Sequence, residues 1–171
     1  MLEIMTTHAI RAAFAAAALC FAYEAAALGA GDAAPAFALP TAGGETITLD
    51  QLRGNVVYVD FWASWCGPCR RSFPWMNAMK RLYGGKGLAI VAVNVDKKRA
   101  DAERFLAETP AEFTVLYDVQ GATPAAYAVK GMPSSYLIDA NGRVVAIEIG
   151  FRDERRAALE ERIRALTEAR R

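Results

Sequence analysis

Cysteine and histidine are scarce in this chain of 171 residues, which contains three cysteines and one histidine. Cys20 and His8 lie in the first 30 residues, so only Cys66 and Cys69 remain as such ligands in the rest of the chain. A structural zinc site requires four ligands, mostly Cys and His. The ligand count therefore argues against zinc, and the sequence predicts no metal site and no cofactor.

An excess of charge of either sign is also missing. The 20 basic and 19 acidic side chains give a formal net charge of +1 at pH 7. Proteins that bind nucleic acid or an anionic membrane through their overall charge are usually strongly basic. We therefore expect neither nucleic acid nor a membrane surface as a partner.

The sequence has no hydrophobic run long enough to span a membrane. Residues 12–23 carry no charge, but a transmembrane helix needs roughly 20 such residues to cross about 30 Å. The run instead fits the core of a secretory signal, with Arg11 before it and small residues at 25–30 after it. We predict that residues 1–30 form a cleaved signal peptide and residues 31–171 a single periplasmic domain. The alternatives are an uncleaved membrane anchor that leaves the domain facing the periplasm, or a buried alanine-rich helix.

Two cysteines separated by two residues are the most informative feature that is present. Cys66 and Cys69 follow a strand-like run at 56–61 and precede a segment with helical periodicity. At a helix start, unpaired N–H groups and the helix dipole stabilise a thiolate on the first sulfur. The second sulfur is near enough to close a disulfide ring, and this combination is typical of disulfide exchange. A purely structural disulfide is the alternative, but it would not need this setting or the flanking Trp62 and Trp65.

The pattern of hydrophobic residues and turn signals predicts an α/β domain. Near-continuous apolar runs indicate strands covered on both faces, whereas apolar residues three or four apart indicate helices. Asn141-Gly142 is typical of a hairpin turn. Together these elements describe a central mixed sheet with helices on both faces. Strands are expected at 37–39, 46–49, 56–63, 88–95, 114–117, 136–138 and 144–149, and helices from about 66 to 84 and at 100–108, 122–129 and 153–169.

Four segments of the chain resemble a known family. At 59–69 the chain reads Val-Asp-Phe-Trp-Ala-Ser-Trp-Cys-Gly-Pro-Cys, which is similar to the active-site run of thioredoxin. Segments at 35–54, 90–96 and 131–139 are similar to parts of the exported TlpA/ResA-type thioredoxin-like proteins. This resemblance covers nearly all of the chain from about Ala34 onward. It implies a thioredoxin fold with an N-terminal β-hairpin extension and a helix–strand insertion before a cis-proline loop.

The resemblance implies roles for the residues of the active-site run. Cys66 would be the attacking thiolate, and Cys69 would be the thiol that resolves the mixed disulfide. The intervening Gly67-Pro68 is the dipeptide of thioredoxin, whose couple lies near about −270 mV against about −120 mV for the oxidant DsbA. The dipeptide therefore predicts a reductant. Pro74 matches a proline that kinks the same helix in thioredoxin, so we expect the helix to continue past it.

The same resemblance predicts a surface that binds client proteins. Pro133 would follow a cis peptide bond, and its loop would expose backbone groups of Met132 to an extended client segment. Trp62 and Trp65 would add an apolar rim, with burial of Trp62 in the core as the alternative. The full predicted set of binding residues is Trp65, Gly67, Pro68, Met132 and Pro133.

Asp60 occupies the place of the buried acid of thioredoxin. An acidic side chain inside the apolar run at 56–62 is costly to bury, and burial would raise its pKa. It would then accept the proton of Cys69 through a water molecule. The alternative is an Asp60 that faces solvent near the end of the strand. The chain departs from the family at two points: residues 89–95 include no lysine to pair with this acid, and Ser72 stands where many members have a glutamate.

These features predict an exported thiol–disulfide oxidoreductase that reduces disulfides in periplasmic client proteins. The resemblance suggests clients such as apocytochrome c or copper-site proteins of respiratory oxidases. It also implies a membrane electron donor of the DsbD type that regenerates the dithiol. We expect a monomer. A copper(I)-binding chaperone is an alternative, because thiolates suit that ion, and a disulfide oxidant or isomerase is another.

Overall fold

A computed structural model describes residues 28–170 of the chain. The chain forms seven strands, four α-helices and two short 3₁₀ turns within these residues. The strands are β1 (Ala38–Pro40), β2 (Thr46–Thr48), β3 (Val56–Trp62), β4 (Leu88–Asn94), β5 (Thr114–Tyr117), β6 (Ser134–Ile138) and β7 (Val144–Ile149). The helices are α1 (Gly67–Tyr83), α2 (Arg99–Glu108), α3 (Ala122–Ala126) and α4 (Asp153–Ala169), and the 3₁₀ turns are Asp50–Leu52 and Gly84–Lys86.

The five longer strands form one mixed sheet in the order β5-β4-β3-β6-β7. β4 runs parallel to β3 and β5, whereas β6 runs antiparallel to β3 and β7. The register pairs Trp62 with Asn94, Phe61 with Ser134, and Ser134 with Ile149. The ends of β3, β4 and β7 and the start of β6 therefore lie together. We call this the carboxyl edge of the sheet.

β3 is buried along its whole length and separates two hydrophobic cores. Val57, Val59 and Phe61 pack into the first core, which the β1-β2 hairpin and the segment after α3 cover. Tyr58 and Trp62 pack into the second core, which α1, α2 and α4 cover. This burial on both faces explains why the sequence of the strand is a near-continuous apolar run.

The predicted α/β architecture is confirmed. The β1-β2 hairpin precedes the main sheet, and α2 with β5 forms the insertion before β6. The predicted helix at 153–169 and the strands at 114–117 and 144–149 have the bounds observed. Pro74 lies inside α1, as predicted.

Two predicted bounds are wrong by two residues or more, and the others agree with the observed ones within one residue. The helix expected at 122–129 ends at Ala126, because Ala128 adopts a left-handed backbone with φ 54° that a right-handed helix cannot accommodate. The carbonyl of Tyr127 accepts a hydrogen bond from the Tyr136 hydroxyl at 2.6 Å. β6 starts at Ser134, two residues before the predicted start, since Ser134 and Ser135 pair with β3 although both are polar.

The turn predicted at Asn141-Gly142 joins β6 to β7, but it is longer than a two-residue turn. Five residues separate the strands, and Gly142 takes the left-handed conformation at φ 81°. The Asp139 carboxylate accepts hydrogen bonds from the N–H groups of Asn141 and Arg143, both at 2.9 Å. The side chain of Asp139 thus fixes the shape of the turn.

The signal peptide predicted at 1–30 falls almost entirely on residues 1–27, which lie outside the described residues. No helix within residues 28–170 combines the length and the hydrophobicity needed to cross a membrane.

Candidate active site

The two cysteines lie where β3 gives way to α1. Cys66 is the N-cap residue of the helix with an extended backbone, and Pro68 occupies the first helical turn, a position that suits proline. The Sγ atom of Cys66 accepts a hydrogen bond from the N–H of Cys69 at 3.3 Å. The first sulfur is therefore held against the N-terminal end of the helix, where the dipole and free N–H groups favour negative charge.

Cys66 and Cys69 are joined by a disulfide bond with their Cα atoms 5.4 Å apart. Cys66 is 4% exposed, whereas Cys69 is 0% exposed. The residues beside them, Gly67 and Pro68, are exposed, and Trp65 is 71% exposed. Cys66 therefore keeps a small exposed area beside these exposed residues, whereas Cys69 has none.

The loop before β6 lies at the same carboxyl edge. Its Met132–Pro133 peptide bond is cis, as the resemblance implies. The carbonyl of Pro133 accepts a hydrogen bond from the N–H of Gly150 at 2.8 Å, and the Ser134 hydroxyl donates to the carbonyl of Gly131 at 2.7 Å. Met132 is half-buried. The end of β7 thus braces the loop next to the end of β3.

Asp60 is 1% exposed, so the alternative in which it faces solvent is wrong. Side chains alternate along a strand, and Asp60 therefore shares the face of Tyr58 and Trp62, which pack in the same core as Cys69. The Oδ2 atom of Asp60 is buried and has no hydrogen-bond partner among the described residues. Burial without compensation raises the pKa of this carboxyl well above its ordinary value.

Asp60 has polar neighbours that the sequence analysis missed. Ser135 lies directly opposite Asp60 in the β3–β6 pair, and its hydroxyl accepts a hydrogen bond from the Tyr58 hydroxyl at 2.7 Å. Burial raises the pKa of Tyr58, and the nearby charge of Asp60 adds to this rise. Glu148 lies opposite Ser135 on β7 and pairs with Arg155 at 2.8 Å. The polar pair Ser134-Ser135 beside an apolar run was the available signal.

A second buried acid, also missed, holds the loop that leads to the dithiol. The Asp96 carboxylate accepts hydrogen bonds from the N–H of Ser64 at 2.8 Å, the Ser64 hydroxyl at 3.0 Å and the Asn94 side-chain amide at 2.8 Å. Ser64 is two residues before Cys66. Unlike Asp60, Asp96 has donors for both of its oxygens, and it ties the end of β4 to the loop after β3.

Trp62 does not belong to the exposed rim. It is 0% exposed and packs on Phe73 and Phe105 at ring-centroid distances of 5.0 and 4.7 Å. The prediction of a rim position is wrong, because the side chain of Trp62 lies on the face of β3 that α1 and α2 cover. Trp65 is the tryptophan that remains at the surface.

Ser72, where the resemblance would place a glutamate, is buried in α1, and its hydroxyl donates to the carbonyl of Cys69 at 3.0 Å. It supplies no carboxylate. Within residues 28–170, no three His, Cys, Asp or Glu side chains are grouped closely enough to hold a metal ion. The arrangement combines a disulfide whose first cysteine is slightly exposed and whose second is fully buried with a buried acid in the same core, a combination that suits disulfide exchange.

The family comparison agrees with this chemistry. The model of the Redoxin family matches residues 29–163. The thiol-disulfide oxidoreductase ResA of Geobacillus thermodenitrificans is 36% identical over 127 residues, which are 74% of this chain and 73% of that protein. ResA of Bacillus subtilis is 34% identical over 124 residues, or 72% of this chain and 69% of that protein.

Solved structures that are similar to this chain are also assigned as disulfide-exchange proteins. A crystal structure from Chlorobium tepidum, assigned as a thiol:disulfide interchange protein DsbE, is 56% identical with a TM-score of 0.79. The match covers 82% of this chain and 99% of that one. A solution structure from Bacteroides thetaiotaomicron, assigned as a protein disulfide isomerase, is 26% identical with a TM-score of 0.74 and covers 82% and 91% of the two chains.

Proposed function

Because this chain belongs to the Redoxin family, and within it to the TlpA/ResA-type thiol–disulfide oxidoreductases, we propose that its Cys66–Cys69 couple reduces disulfides in exported client proteins. The observation that carries the proposal is the asymmetry of the two sulfurs at the start of α1: Cys66 borders the surface and Cys69 is fully buried. That asymmetry suits one attacking and one resolving thiol.

In the first step, the thiolate of Cys66 attacks one sulfur of the client disulfide. The client S–S bond breaks, a bond from Cys66 to the client forms, and the second client sulfur leaves as a thiolate that takes up a proton. The helix start favours this role, because its free N–H groups and its dipole stabilise a thiolate.

In the second step, Cys69 attacks the sulfur of Cys66. The mixed disulfide breaks, the first client sulfur leaves as a thiolate, and the Cys66–Cys69 disulfide forms. Two electrons have then passed to the client. Cys69 must lose its proton for this attack, and we assign the acceptor role to Asp60. Burial raises the pKa of this carboxyl, which makes it a stronger proton acceptor than an ordinary carboxylate.

The client segment is proposed to lie along the carboxyl edge. Main-chain groups of Met132 would pair with it as with an added strand, beside Pro133. Trp65, Gly67 and Pro68 would contact it from the other side of Cys66. The exposure of these three residues and the bracing of the loop by Gly150 support this placement.

Gly67-Pro68, the dipeptide of the reductant thioredoxin, indicates that electrons flow from this protein to the client. A reductant that works in an oxidising compartment must be regenerated, which calls for a membrane donor of the DsbD type. We propose that the protein is exported and acts as a monomer. The proposed clients are apocytochrome c or copper-site proteins of respiratory oxidases.

The reduction potential of the Cys66–Cys69 couple tests this proposal. Equilibration with glutathione or dithiothreitol buffers, followed by quantification of free thiols, should give a value near about −270 mV. A potential near about −120 mV would instead identify an oxidant. The Cys69→Ser variant, which cannot form the internal disulfide, is the control for the thiol count.

A further inference from the structure

We infer that the active-site surface selects clients that carry acidic side chains next to their disulfide. This inference rests on the proposed function and names the class of its substrate. The formal net charge of the whole chain is only +1. Basic side chains without a salt-bridge partner are nevertheless concentrated near the dithiol, and the inference rests on this uneven distribution.

Five exposed basic side chains surround the carboxyl edge, and we call them the basic rim. None of them has a salt-bridge partner within residues 28–170. They are Arg71, Lys97, Lys98, Lys130 and Arg152.

The sheet brings the members of the basic rim together. Lys97 and Lys98 follow the end of β4, just after the Asp96 that binds the loop before Cys66. Arg152 follows the end of β7, two residues after the glycine that bonds to Pro133. Neighbouring strands are about 4.8 Å apart, so β4 and β7 are separated by roughly 14 Å across β3 and β6.

The other two members lie closer to the reacting groups along the chain. Arg71 is two residues after Cys69 in α1, and Lys130 is two residues before Met132. At physiological salt the Debye length is about 8 Å, so a client segment on this edge would feel several of these charges together.

Acidic side chains do not cancel the basic rim. Asp96 and Asp118, which follow β4 and β5, are buried and bonded to neutral donors, and neither forms a salt bridge within residues 28–170. They set at most two negative charges against the five positive charges of the basic rim. Asp153, at the start of α4, pairs with Arg156 at 3.2 Å. Glu154 is the exposed acid next to it, and Arg155 and Arg156 follow in the same helical turn. Lys97 donates to the carbonyl of Val119 at 2.7 Å, which fixes its ammonium without neutralising it.

The basic rim lies around the reacting groups, and this favours an acidic polypeptide over an anionic membrane as the occupant. At its centre are the sulfur of Cys66, the exposed Trp65 and the proline loop, which are the groups that a client segment must reach. Opposite charges on the client would steer it to this edge and raise the rate of encounter.

The test uses three synthetic peptides with the same internal disulfide, flanked by Glu, by Gln or by Lys. Their reduction rates with the reduced protein are divided by their rates with dithiothreitol, a neutral dithiol, to remove differences in intrinsic reactivity. At low salt the normalised rate of the Glu peptide should exceed that of the Lys peptide by about tenfold or more. In 1 M salt, where the Debye length is about 3 Å, the two should agree within about twofold.

A pair of variants assigns the preference to the basic rim. Lys97→Glu with Lys98→Glu should lower the ratio of Glu-peptide to Lys-peptide rates by about tenfold. Lys86→Glu with Arg143→Glu makes the same change in net charge at unpaired basic residues near the opposite edge of the sheet, where β3 and β4 begin, and should leave that ratio unchanged.

The outcomes separate the two proposals. If all three peptides are reduced at equal normalised rates, the inference about clients is overturned and the proposed function stands. Equal effects of both double variants, or binding of anionic vesicles through the basic rim without any peptide preference, would overturn it too. If dithiothreitol reduces the peptides and the protein reduces none of them, the proposed function fails and the inference fails with it.

Discussion

The two faces of β3 are built from the same seven-residue strand but differ in what they contain. One face presents Val57, Val59 and Phe61 to an apolar core. The other presents Tyr58 and Asp60 beneath the helix that carries Cys69. The first face stabilises the domain, whereas the second retains a buried acid whose Oδ2 has no partner. An unpaired buried charge is unfavourable, so Asp60 lowers the stability of the protein. We attribute its presence to a role in the disulfide reaction.

The largest effect on the reaction is expected when either thiol is removed. Cys66→Ser should abolish disulfide reduction and trap almost no client, because the attacking sulfur is gone. Cys69→Ser should accumulate mixed disulfides on Cys66, since attack proceeds and resolution fails. Non-reducing electrophoresis after incubation with a disulfide peptide measures both. Greater trapping by the Cys66 variant would reverse the assigned roles.

Phe61→Ala breaks the apolar face. Phe61 is 0% exposed and packs against Tyr127 and Tyr136 at centroid distances of 5.2 and 5.8 Å. The free energy of unfolding should fall by about 3–5 kcal/mol, which urea denaturation can measure. Leu82→Ala, at an exposed position on α1, should stay within about 0.5 kcal/mol of the wild type. A large change in the reduction potential of a folded Phe61 variant would contradict the division between the two faces.

Asp60→Asn tests the acid of the second face. The fold should persist, and peptide reduction should slow by on the order of 100-fold where Asp60 is ionised and accepts the proton of Cys69. The effect should shrink towards acid pH, because Asp60 is then itself protonated. Asp96→Asn is the matched control: it alters an acid whose oxygens are hydrogen-bonded, so it should destabilise the protein instead. Rates that are unchanged across pH in the Asp60 variant would remove the proton-acceptor role.

The same variant makes a prediction about stability and pH. The pKa of Asp60 is raised in the folded protein, so the folded state binds more protons than the unfolded state between the two pKa values. Stability contributed by the protonated acid is complete below about pH 4 and is lost as the pH rises through the folded pKa. Asp60→Asn should therefore raise the free energy of unfolding at pH 8, by on the order of 1–3 kcal/mol, and have no such effect at pH 3.5. A gain that is largest at acid pH would contradict the assignment.

Tyr58→Phe should have the smallest effect. It removes the donor to Ser135 and leaves the ring against Trp75, whose centroid is 5.6 Å away. Loss of one buried hydrogen bond should cost about 1 kcal/mol in urea denaturation. Ser135→Ala in the Tyr58→Phe background should restore part of that loss, because no hydroxyl is then left unpaired. A double variant less stable than the sum of the single variants would argue against a direct pair.

Strand and helix positions could be read from the sequence where apolar periodicity was long. The bounds of β5, β7 and α4 follow from their patterns, and the run at 65–69 located the dithiol and its surroundings. The burial of Asp60 was also predictable, since an acid inside a strand apolar on both faces has no exposed side to turn to.

Contacts across the sheet could not be read in this way. The bond from Tyr58 to Ser135 joins residues 77 positions apart and depends on the register of β6 against β3. The position of Trp62 depends on which helices cover that face, and the early end of α3 depends on one left-handed residue, Ala128. Local patterns constrain none of these.

The hydrogen bond from the N–H of Cys69 to the sulfur of Cys66 gives that sulfur two roles. In the disulfide form this sulfur is both the atom that would react and the acceptor that satisfies an N–H of the first turn of α1. A thiolate at the same place would accept that bond more strongly, because charge on the acceptor strengthens a hydrogen bond. Exchange at Cys66 and the start of the helix are therefore coupled through one atom.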